Sequence, residues 1–419
     1  MKLIEKHLIR KNHHRFNELD QACFASKNIF NCAVYLCRQA YFQGKKIPTF
    51  NELYHQLKST DDYKQLPTKV SQLVIKQVSN TFKSYFKAIK EYSKHPDKFT
   101  GKPQLPKYKH KTKGRNLLSY NYQAFSKTWL KKGLMKLSGL AIKIPTKLTN
   151  VTEVKIIPQC NCYVVAIVYE QEETLPKPQG IMAAIDIGLS NLATVASNDI
   201  NFKPFIVCGK AIKSCNQWYN KCRAKLQSFL PENKYTSRKL EALTLKRNNK
   251  MDYYIHTASR FIINKLLERG VNHLVIGKNE GWKQQINLGK RTNQNFVQVP
   301  HSRLIDQLKY KAKLLGIKVT IIEESYTSKC SFLDLEPIKK HDTYLGKRVK
   351  RGVFQSANGK RYNADLNGAL NILRKAIQRG LGGFPHERLN QEVAGNSIFD
   401  GKLVERLVVS PVRYKPYKA

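Results

Sequence analysis

Three acidic residues lie at positions where the presence of an ionisable side chain calls for a physical explanation. Asp186 lies inside the apolar run 181–187, between two isoleucines, where an ionised carboxylate is costly unless a cation or hydrogen-bond donors meet it. Glu280 comes shortly after the apolar run 273–277, and Asp365 begins a helical pattern. Taken singly, each also fits an ordinary role as a turn residue, a loop residue or an acid favoured at a helix N-terminus.

The set of three predicts more than any one member. An Asp on the first strand, an acid after a later strand and an Asp on the closing helix is the arrangement of an RNase H-like nuclease. Small, hard cations such as Mg²⁺ take carboxylate oxygens and keep open positions for a substrate phosphate. Bound metal would also let converging carboxylates stay ionised. The sequence therefore predicts Asp186, Glu280 and Asp365 as catalytic Mg²⁺ ligands, with Mn²⁺ as a substitute.

The composition indicates a polyanionic partner. The chain has 74 Lys and Arg against 30 Asp and Glu, a net charge of +44. Because so large a charge repels itself unless a polyanion neutralises it, we expect nucleic acid as the partner. The nine cysteines include no Cys-x2-Cys pair, which indicates a reducing cytoplasm. We find neither a leader signal nor an apolar run of about 18 residues, so we expect no membrane partner.

The elements that must position the three acids follow from hydrophobic periodicity. Residues 16–101 predict a small helical bundle with a basic exterior. Short strands in 1–15 and 102–175 predict a small β-barrel into which this bundle is inserted. Strands and helices alternate from 180 to 378 in an α/β order. The sequence of the tail 379–419 predicts no role for it. The expected fold class is multidomain α/β plus a β-barrel.

A basic stretch follows the predicted bundle. It spans residues 102–115, contains two prolines that argue against a helix, and places Tyr108 among basic side chains. Such a mixture suits a segment that follows a nucleic-acid backbone, with a solvated linker as the alternative. The candidate contacts are Lys107, Lys109, Lys111, Lys113 and Arg115.

Several residue strings together resemble the TnpB family, whose members are encoded by insertion sequences and related to type V CRISPR effectors. The strings are Ala184-Ile-Asp-Ile-Gly188, Val275-Ile-Gly-Lys-Asn-Glu280, Tyr310-Lys-Ala to Gly316-Ile-Lys-Val, Glu324-Ser-Tyr-Thr-Ser-Lys-Cys330 and Asn363-Ala-Asp-Leu-Asn-Gly-Ala369. The resemblance implies a wedge-like β-barrel (1–15 and 102–175), an inserted helical recognition domain (16–101) and a RuvC-type nuclease domain (180–378). Asp186, Glu280 and Asp365 fall on the family's three nuclease positions.

The resemblance also implies a function. It implies a transposon-end guide RNA as cofactor and cleavage of double-stranded target DNA beside a short duplex motif. It implies a protein of the prokaryotic cytoplasm, associated with the nucleoid. Two alternatives stay open: a nuclease-inactive, RNA-guided DNA-binding repressor, and a guide-independent transposase. The presence of all three acids favours the enzyme over the repressor, and no nucleophilic Tyr or Ser motif beside a metal-binding His pair supports the transposase.

The sequence departs from the family in one segment. Family members often carry two Cys-x2-Cys knuckles that form a zinc ribbon, whereas only Cys330 matches here and 354–359 contains no cysteine. Cys330 and His341 alone cannot complete a site with four ligands. We interpret residues 329–361 as a degenerate, zinc-free basic insertion. Its basic run is predicted to face nucleic acid, a solvated loop being the alternative, and comprises Lys347, Arg348, Lys350 and Arg351.

We expect the dialysed protein to hold no stoichiometric zinc, because its thiolates lack the paired spacing of a structural site. Elemental analysis of the purified chain measures this directly. About one zinc per chain would show that residues 329–361 find a full ligand set elsewhere.

Overall fold

The computed structural model describes residues 1–160, 162–176, 180–279, 298–381 and 401–416. The chain divides into two compact units, 1–172 and 173–419, and each is described by itself. Within the described residues, no helix is both long enough and apolar enough to cross a membrane.

The strands of the first unit form an open sheet and a separate hairpin. They are β1 (Lys2–Arg10), β2 (Leu118–Asn121), β3 (Leu134–Lys136), β4 (Lys143–Pro145), β5 (Val151–Gln159) and β6 (Cys162–Glu170). The sheet has the order β1-β6-β5-β2, and β3 pairs only with β4. The strand predicted within residues 1–15 is confirmed as β1, which pairs antiparallel with β6 from Lys2↔Glu170 to Arg10↔Cys162. A closed barrel is not shown among these strands.

The helices of this unit are α1 (Phe16–Phe42), α2 (Phe50–Leu57), α3 (Asp61–Lys64), α4 (Thr68–Lys94) and α5 (Lys127–Lys131). The first four lie between β1 and β2 in the chain and share one core with the sheet. The periodicity of α1 and α4 predicted both helices. The short α2 has too few turns for a clear period, but Thr49 and Glu52 form a capping box at its start, which is a sequence signal for a helix N-terminus.

The basic stretch 102–115 is fastened along α1. Asn31 makes two hydrogen bonds with the backbone of Lys109, one as donor and one as acceptor, both 2.9 Å. Lys27 donates to the Lys111 carbonyl at 2.6 Å. Arg115 pairs with Asp20 at 2.6 Å. The stretch is therefore an ordered segment held by side chains of α1.

The second unit is an α/β layer structure. Its strands are β7 (Ile181–Asp186), β8 (Asn191–Ser197), β9 (Phe205–Cys208), β10 (Val271–Gly277), β11 (Lys318–Ile322), β12 (Lys347–Lys350), β13 (Val353–Gln355), β14 (Arg361–Asn363) and β15 (Val412–Tyr414). Its helices are α6 (Lys210–Ser228), α7 (Arg238–Glu268), α8 (His301–Leu314), α9 (Ala364–Gln378) and α10 (Gly401–Leu407). The main sheet has the order β11-β10-β7-β8-β9-β15.

Helices cover both faces of this sheet. Ala183 and Ile185 of β7 pack into the core that contains α7 and α8. Met182 and Ala184 pack into the opposite core, which contains α9. This division follows from the alternation of side chains along a strand, and it explains why β7 is apolar at nearly every position.

The insertion 329–361 contains a small sheet, β12-β13-β14, for which the sequence analysis predicted no strands. Side chains of α9 fasten the segment before it: Asn367 accepts from the Phe332 amide at 2.9 Å, and Asn371 donates to the Cys330 carbonyl at 2.7 Å. Arg374 donates to the Glu336 carbonyl. Asn367, Asn371 and Arg374 are fully buried and lie at helical spacing, so a polar ladder on α9 holds the insertion.

The tail, for which the sequence indicated no role, adds a strand to the main sheet. β15 pairs in parallel with β9, from Val412↔Phe205 to Tyr414↔Val207. The Tyr414 ring stacks on Phe261 of α7, with ring centroids 3.5 Å apart. The tail therefore extends the sheet at its edge.

We expect Asn31→Ala to open the basic stretch to proteolysis, because it removes both hydrogen bonds to the Lys109 backbone at a cost of about 1–2 kcal/mol. Limited trypsin digestion with mass spectrometry should show faster cleavage within residues 102–115. Asn28→Ala is the matched control, since Asn28 donates instead to Asp62. Equal cleavage rates in the two variants would mean that other contacts hold the stretch.

Candidate active site

Asp186 is the last residue of β7, where three parallel strands end side by side. β10 pairs in parallel with both β7 and β11, and it ends at Gly277. The carboxyl ends of β7, β10 and β11 therefore meet at one edge of the sheet, the edge at which α/β proteins place their functional groups.

Glu324 also lies at this edge, two residues after β11 ends at Ile322. Its backbone amide donates to Asn279 Oδ1 at 3.0 Å. Its Oε2 atom is buried and has no hydrogen-bond partner among the described residues. A Cβ atom at Gly277 would lie 2.8 Å from this oxygen. Glycine at the end of β10 therefore leaves the space that the Glu324 carboxylate occupies.

Asp365 reaches the same edge from α9. Asn363 caps this helix by accepting from the amides of Asp365 and Leu366, both at 3.0 Å. One turn later, a Cβ atom at Gly368 would lie 2.6 Å from Asp186 Oδ2. Glycine within a helix costs about 1 kcal/mol relative to alanine, and here it lets α9 approach the Asp186 carboxylate.

The charges of Glu324 and Asp365 act on the pKa of Asp186. Asp186 keeps some surface exposure but is enclosed by protein atoms, and this burial raises its pKa well above the usual range. Glu324 and Asp365 raise the pKa of Asp186 further, while Arg348 acts in the opposite direction. Burial raises the pKa of Glu324 to about 7, with partial compensation by Lys375.

Asp365 is engaged by hydrogen bonds at both carboxylate oxygens. Arg348 of β12 donates to Oδ1 at 2.9 Å, and Asn191 donates to Oδ2 at 2.6 Å. Arg413 of β15 in turn donates to Asn191 at 3.0 Å. As these side chains stand, no group of three Asp, Glu, His or Cys side chains in the described part of the chain is placed to hold a metal ion.

The structure brings two of the three predicted acids together, Asp186 and Asp365. The third, Glu280, lies outside the described residues. Glu324 was missed from the sequence, although the signal was equivalent: an acid shortly after an apolar strand that ends an α/β repeat. The Glu324–Cys330 string had entered the sequence interpretation only as part of the resemblance.

The basic residues of the insertion that were predicted to contact nucleic acid differ in their surroundings. Lys347 and Lys350 on β12 are exposed. Arg348 bonds to Asp365, and Arg351 donates to Ser190 at 2.8 Å. Part of the basic run of the insertion therefore lies against the acidic edge.

Two family models match this chain, mainly within the second unit. The OrfB_IS605 model, described as a probable transposase, matches residues 166–283, and the model described as the Cas12f1-like TNB domain matches residues 301–372. The first match includes Asp186, and the second includes Glu324 and Asp365.

Two curated relatives share about half of this chain. A TnpB-like protein, ORF457 of Acidianus two-tailed virus, is 28% identical over 217 residues, which are 48% of this chain and 44% of that protein. The CRISPR-associated endodeoxyribonuclease Cas12f2 of Micrarchaeota archaeon (strain CG1_02_47_40) is 27% identical over 229 residues, 51% of this chain and 40% of that protein. The matches thus cover less than half the length of either relative.

A solved complex of Cas12f1 with sgRNA and target DNA is 14% identical, over 88% of this chain and 98% of that chain. Its TM-score is 0.37, a value too low to bear on the fold.

We expect Glu324→Gln to stabilise the metal-free protein at pH 8 by about 1–3 kcal/mol and to leave its stability unchanged near pH 4.5. The folded-state pKa of Glu324 is raised from its usual 4.5 to about 7. Its contribution to stability is therefore fully present below about pH 4.5 and is lost as the pH rises through 7. Thermal unfolding across this pH range measures the difference.

Glu323→Gln is the matched control for this measurement, because Glu323 is an exposed neighbour on the same segment. Added Mg²⁺ should stabilise the wild-type protein more than Glu324→Gln. Parallel pH profiles for the wild type and Glu324→Gln would contradict the burial of an ionisable Glu324.

Proposed function

We propose that this chain, which is related to the TnpB proteins and to the type V CRISPR effectors, is an RNA-guided, Mg²⁺-dependent DNA endonuclease with a RuvC-type, RNase H-like nuclease domain in residues 180–378. The observation that carries the proposal is the convergence of Asp186, Glu324 and Asp365 at one edge of the main sheet. Neighbouring carboxylates disfavour one another's ionised form, and a bound cation would offset this repulsion.

The chemistry of these donors suits a small, hard cation. Glu324 Oε2 is a buried oxygen without a partner among the described residues, and carboxylate oxygens are the ligands that Mg²⁺ prefers. Asp186, Glu324 and Asp365 would hold the metal. When bound, Mg²⁺ stabilises the attacking water and the leaving oxygen in phosphodiester hydrolysis. Glu280, the third acid that the sequence predicted, lies outside the described residues and stays a candidate ligand of this proposal beside Glu324.

Arg348 has a role in this proposal that depends on its contact with Asp365. In the metal-free protein its guanidinium neutralises part of the acidic charge. If Asp365 held a cation, the Arg348 guanidinium would lose this partner and would lie beside the site. A planar guanidinium binds phosphate oxygens with two parallel hydrogen bonds, so Arg348 would then hold the DNA backbone.

We propose a transposon-end guide RNA and double-stranded target DNA as partners, with guide pairing selecting the sequence and the protein reading a short flanking motif. The net charge of +44 supports a polyanionic partner. In this proposal residues 1–15 and 102–175 are the wedge-like domain and 16–101 the recognition domain. The exposed lysines proposed for backbone contacts are Lys107, Lys111, Lys113, Lys347 and Lys350.

We expect Asp186→Asn, Glu324→Gln and Asp365→Asn each to abolish Mg²⁺-dependent DNA cleavage, because each loses a charge that would hold the cation. We expect the same loss for Glu280→Gln, the third acid that the sequence predicted. RNA and target binding should stay within a few-fold of wild type in all four, since basic side chains elsewhere bind the phosphates. The measurement combines cleavage of a DNA library with randomised flanks, using the co-purified RNA, with gel shifts on the same preparations.

The outcomes for the Glu280→Gln, Glu324→Gln and Asp186→Asn variants distinguish the ways in which this proposal could fail. Cleavage lost in Glu280→Gln but kept in Glu324→Gln would leave Glu280 as the third acid and remove Glu324 from the site, and the opposite result would remove Glu280. Cleavage by Asp186→Asn at the wild-type rate would refute the nuclease site. A wild-type protein that binds its guide and target without cutting in Mg²⁺ or Mn²⁺ would instead be an RNA-guided repressor.

A further inference from the structure

Aromatic rings are exposed at one end of the helical bundle, outside its core. Tyr41 and Phe42 at the end of α1 are 40% and 64% exposed, and Phe86 on α4 is 40% exposed. The Tyr41 ring lies 6.5 Å from the Tyr85 ring and 6.3 Å from the Phe86 ring. The aromatic patch comprises Tyr41, Phe42, Tyr85 and Phe86.

Arg38 connects this patch with the basic stretch 102–115. Its guanidinium lies 5.3 Å from the ring centroid of Phe42 and 5.3 Å from that of Tyr108, and it donates to the Pro106 carbonyl at 2.9 Å. Tyr108 is itself 46% exposed. A groove of about 550 Å³ continues from Tyr108 to Tyr35. The exposed rings therefore extend along a continuous surface of α1.

Basic side chains surround the aromatic patch. Lys83, Lys87 and Lys90 are exposed on α4, and Lys83 and Lys90 share the helix face of Phe86 because they lie three residues before it and four after it. The nearest acid in sequence, Glu91, is paired with Lys98 at 3.2 Å. The surface around the rings is thus positively charged.

This combination favours a nucleic acid over a protein as the occupant. The centre of a protein interface is enriched in aromatic residues but depleted of lysine, whereas strand-binding surfaces place aromatic rings among basic side chains. Every nucleobase offers a flat face to a ring, and a guanidinium beside a ring adds a cation–π contribution.

We propose that the aromatic patch binds unpaired bases of a single-stranded nucleic acid, while Arg38 and the lysines of α4 bind the phosphates. Duplex DNA does not suit the patch, because its bases are stacked on one another and their faces are covered. The proposal concerns binding only and does not depend on cleavage.

The test compares Phe42→Ala and Phe86→Ala with the matched charge variant Lys83→Ala/Lys87→Ala in the full chain, freed of co-purified RNA. The probe is a fluorescent, thymine-only DNA strand, and anisotropy titrations are run at several salt concentrations. Each ring variant should lose roughly tenfold in affinity with an unchanged salt dependence, because stacking releases no counterions. The charge variant should show a smaller salt slope.

A duplex of the same length separates stacking from charge. The ring variants should bind the duplex as the wild type does, and the charge variant should bind it more weakly. In the wild type, a strand containing bromouracil should crosslink to peptides that include residues 41–42 or 85–86, which tests the site without any substitution. Unchanged single-strand affinity, an equal loss for strand and duplex, or crosslinks confined to other peptides would overturn the proposal.

Discussion

Carboxylates of like charge are enclosed by protein at the end of β7, and the second unit must accommodate them. Asp186 is surrounded by protein beside Glu324 and Asp365, and burial together with these neighbours disfavours its ionised form. Two glycines, Gly277 and Gly368, leave the carboxylates the space that side chains would fill. Because β7, β10 and β11 are parallel, their carboxyl ends place Asp186 and Glu324 at one edge of the sheet, and α9 brings Asp365 there.

The helix that carries Asp365 also holds the insertion. On α9, Asn367, Asn371 and Arg374 bond to the segment that precedes the small sheet. Arg374 is fully buried, and burial lowers its pKa to about 10. Buried polar groups fix one arrangement when they are paired and cost free energy when they are not. The ladder thus gives the insertion a defined position without thiolate pairs, and β12 presents Arg348 to the acidic edge.

The first unit organises positive charge by a different means. The basic stretch 102–115 is held along α1 because Asn31 and Lys27 bond to its backbone. Fixing the backbone in this way leaves Lys107, Lys111 and Lys113 exposed. Charge presented on a fixed backbone loses less conformational entropy on binding a polyanion than charge on a free linker. The first unit therefore presents positive charge suited to binding a polyanion, whereas the acids of the candidate active site lie in the second unit.

The sequence by itself determined the features that depend on local pattern. Hydrophobic periodicity predicted the helices within residues 16–101 and the alternating strands and helices of residues 180–378. The motif strings indicated the TnpB relationship that the similarity to a TnpB-like protein supports. The net charge pointed to nucleic acid because long-range repulsion depends on composition and not on fold. The assignments of the catalytic acids, the wedge-like domain and the nucleic-acid contacts stay proposals.

Only the tertiary structure decided which distant residues are neighbours. The position of Glu324 beside the end of β10 could not be predicted, because it depends on the parallel pairing of β10 with β11 and on the missing side chain at Gly277, which no local pattern encodes. The same holds for the contact between Arg348 and Asp365 and for β15 at the sheet edge. Periodicity reports which face of an element is buried, but the partner on that face is chosen by packing among elements far apart in the chain.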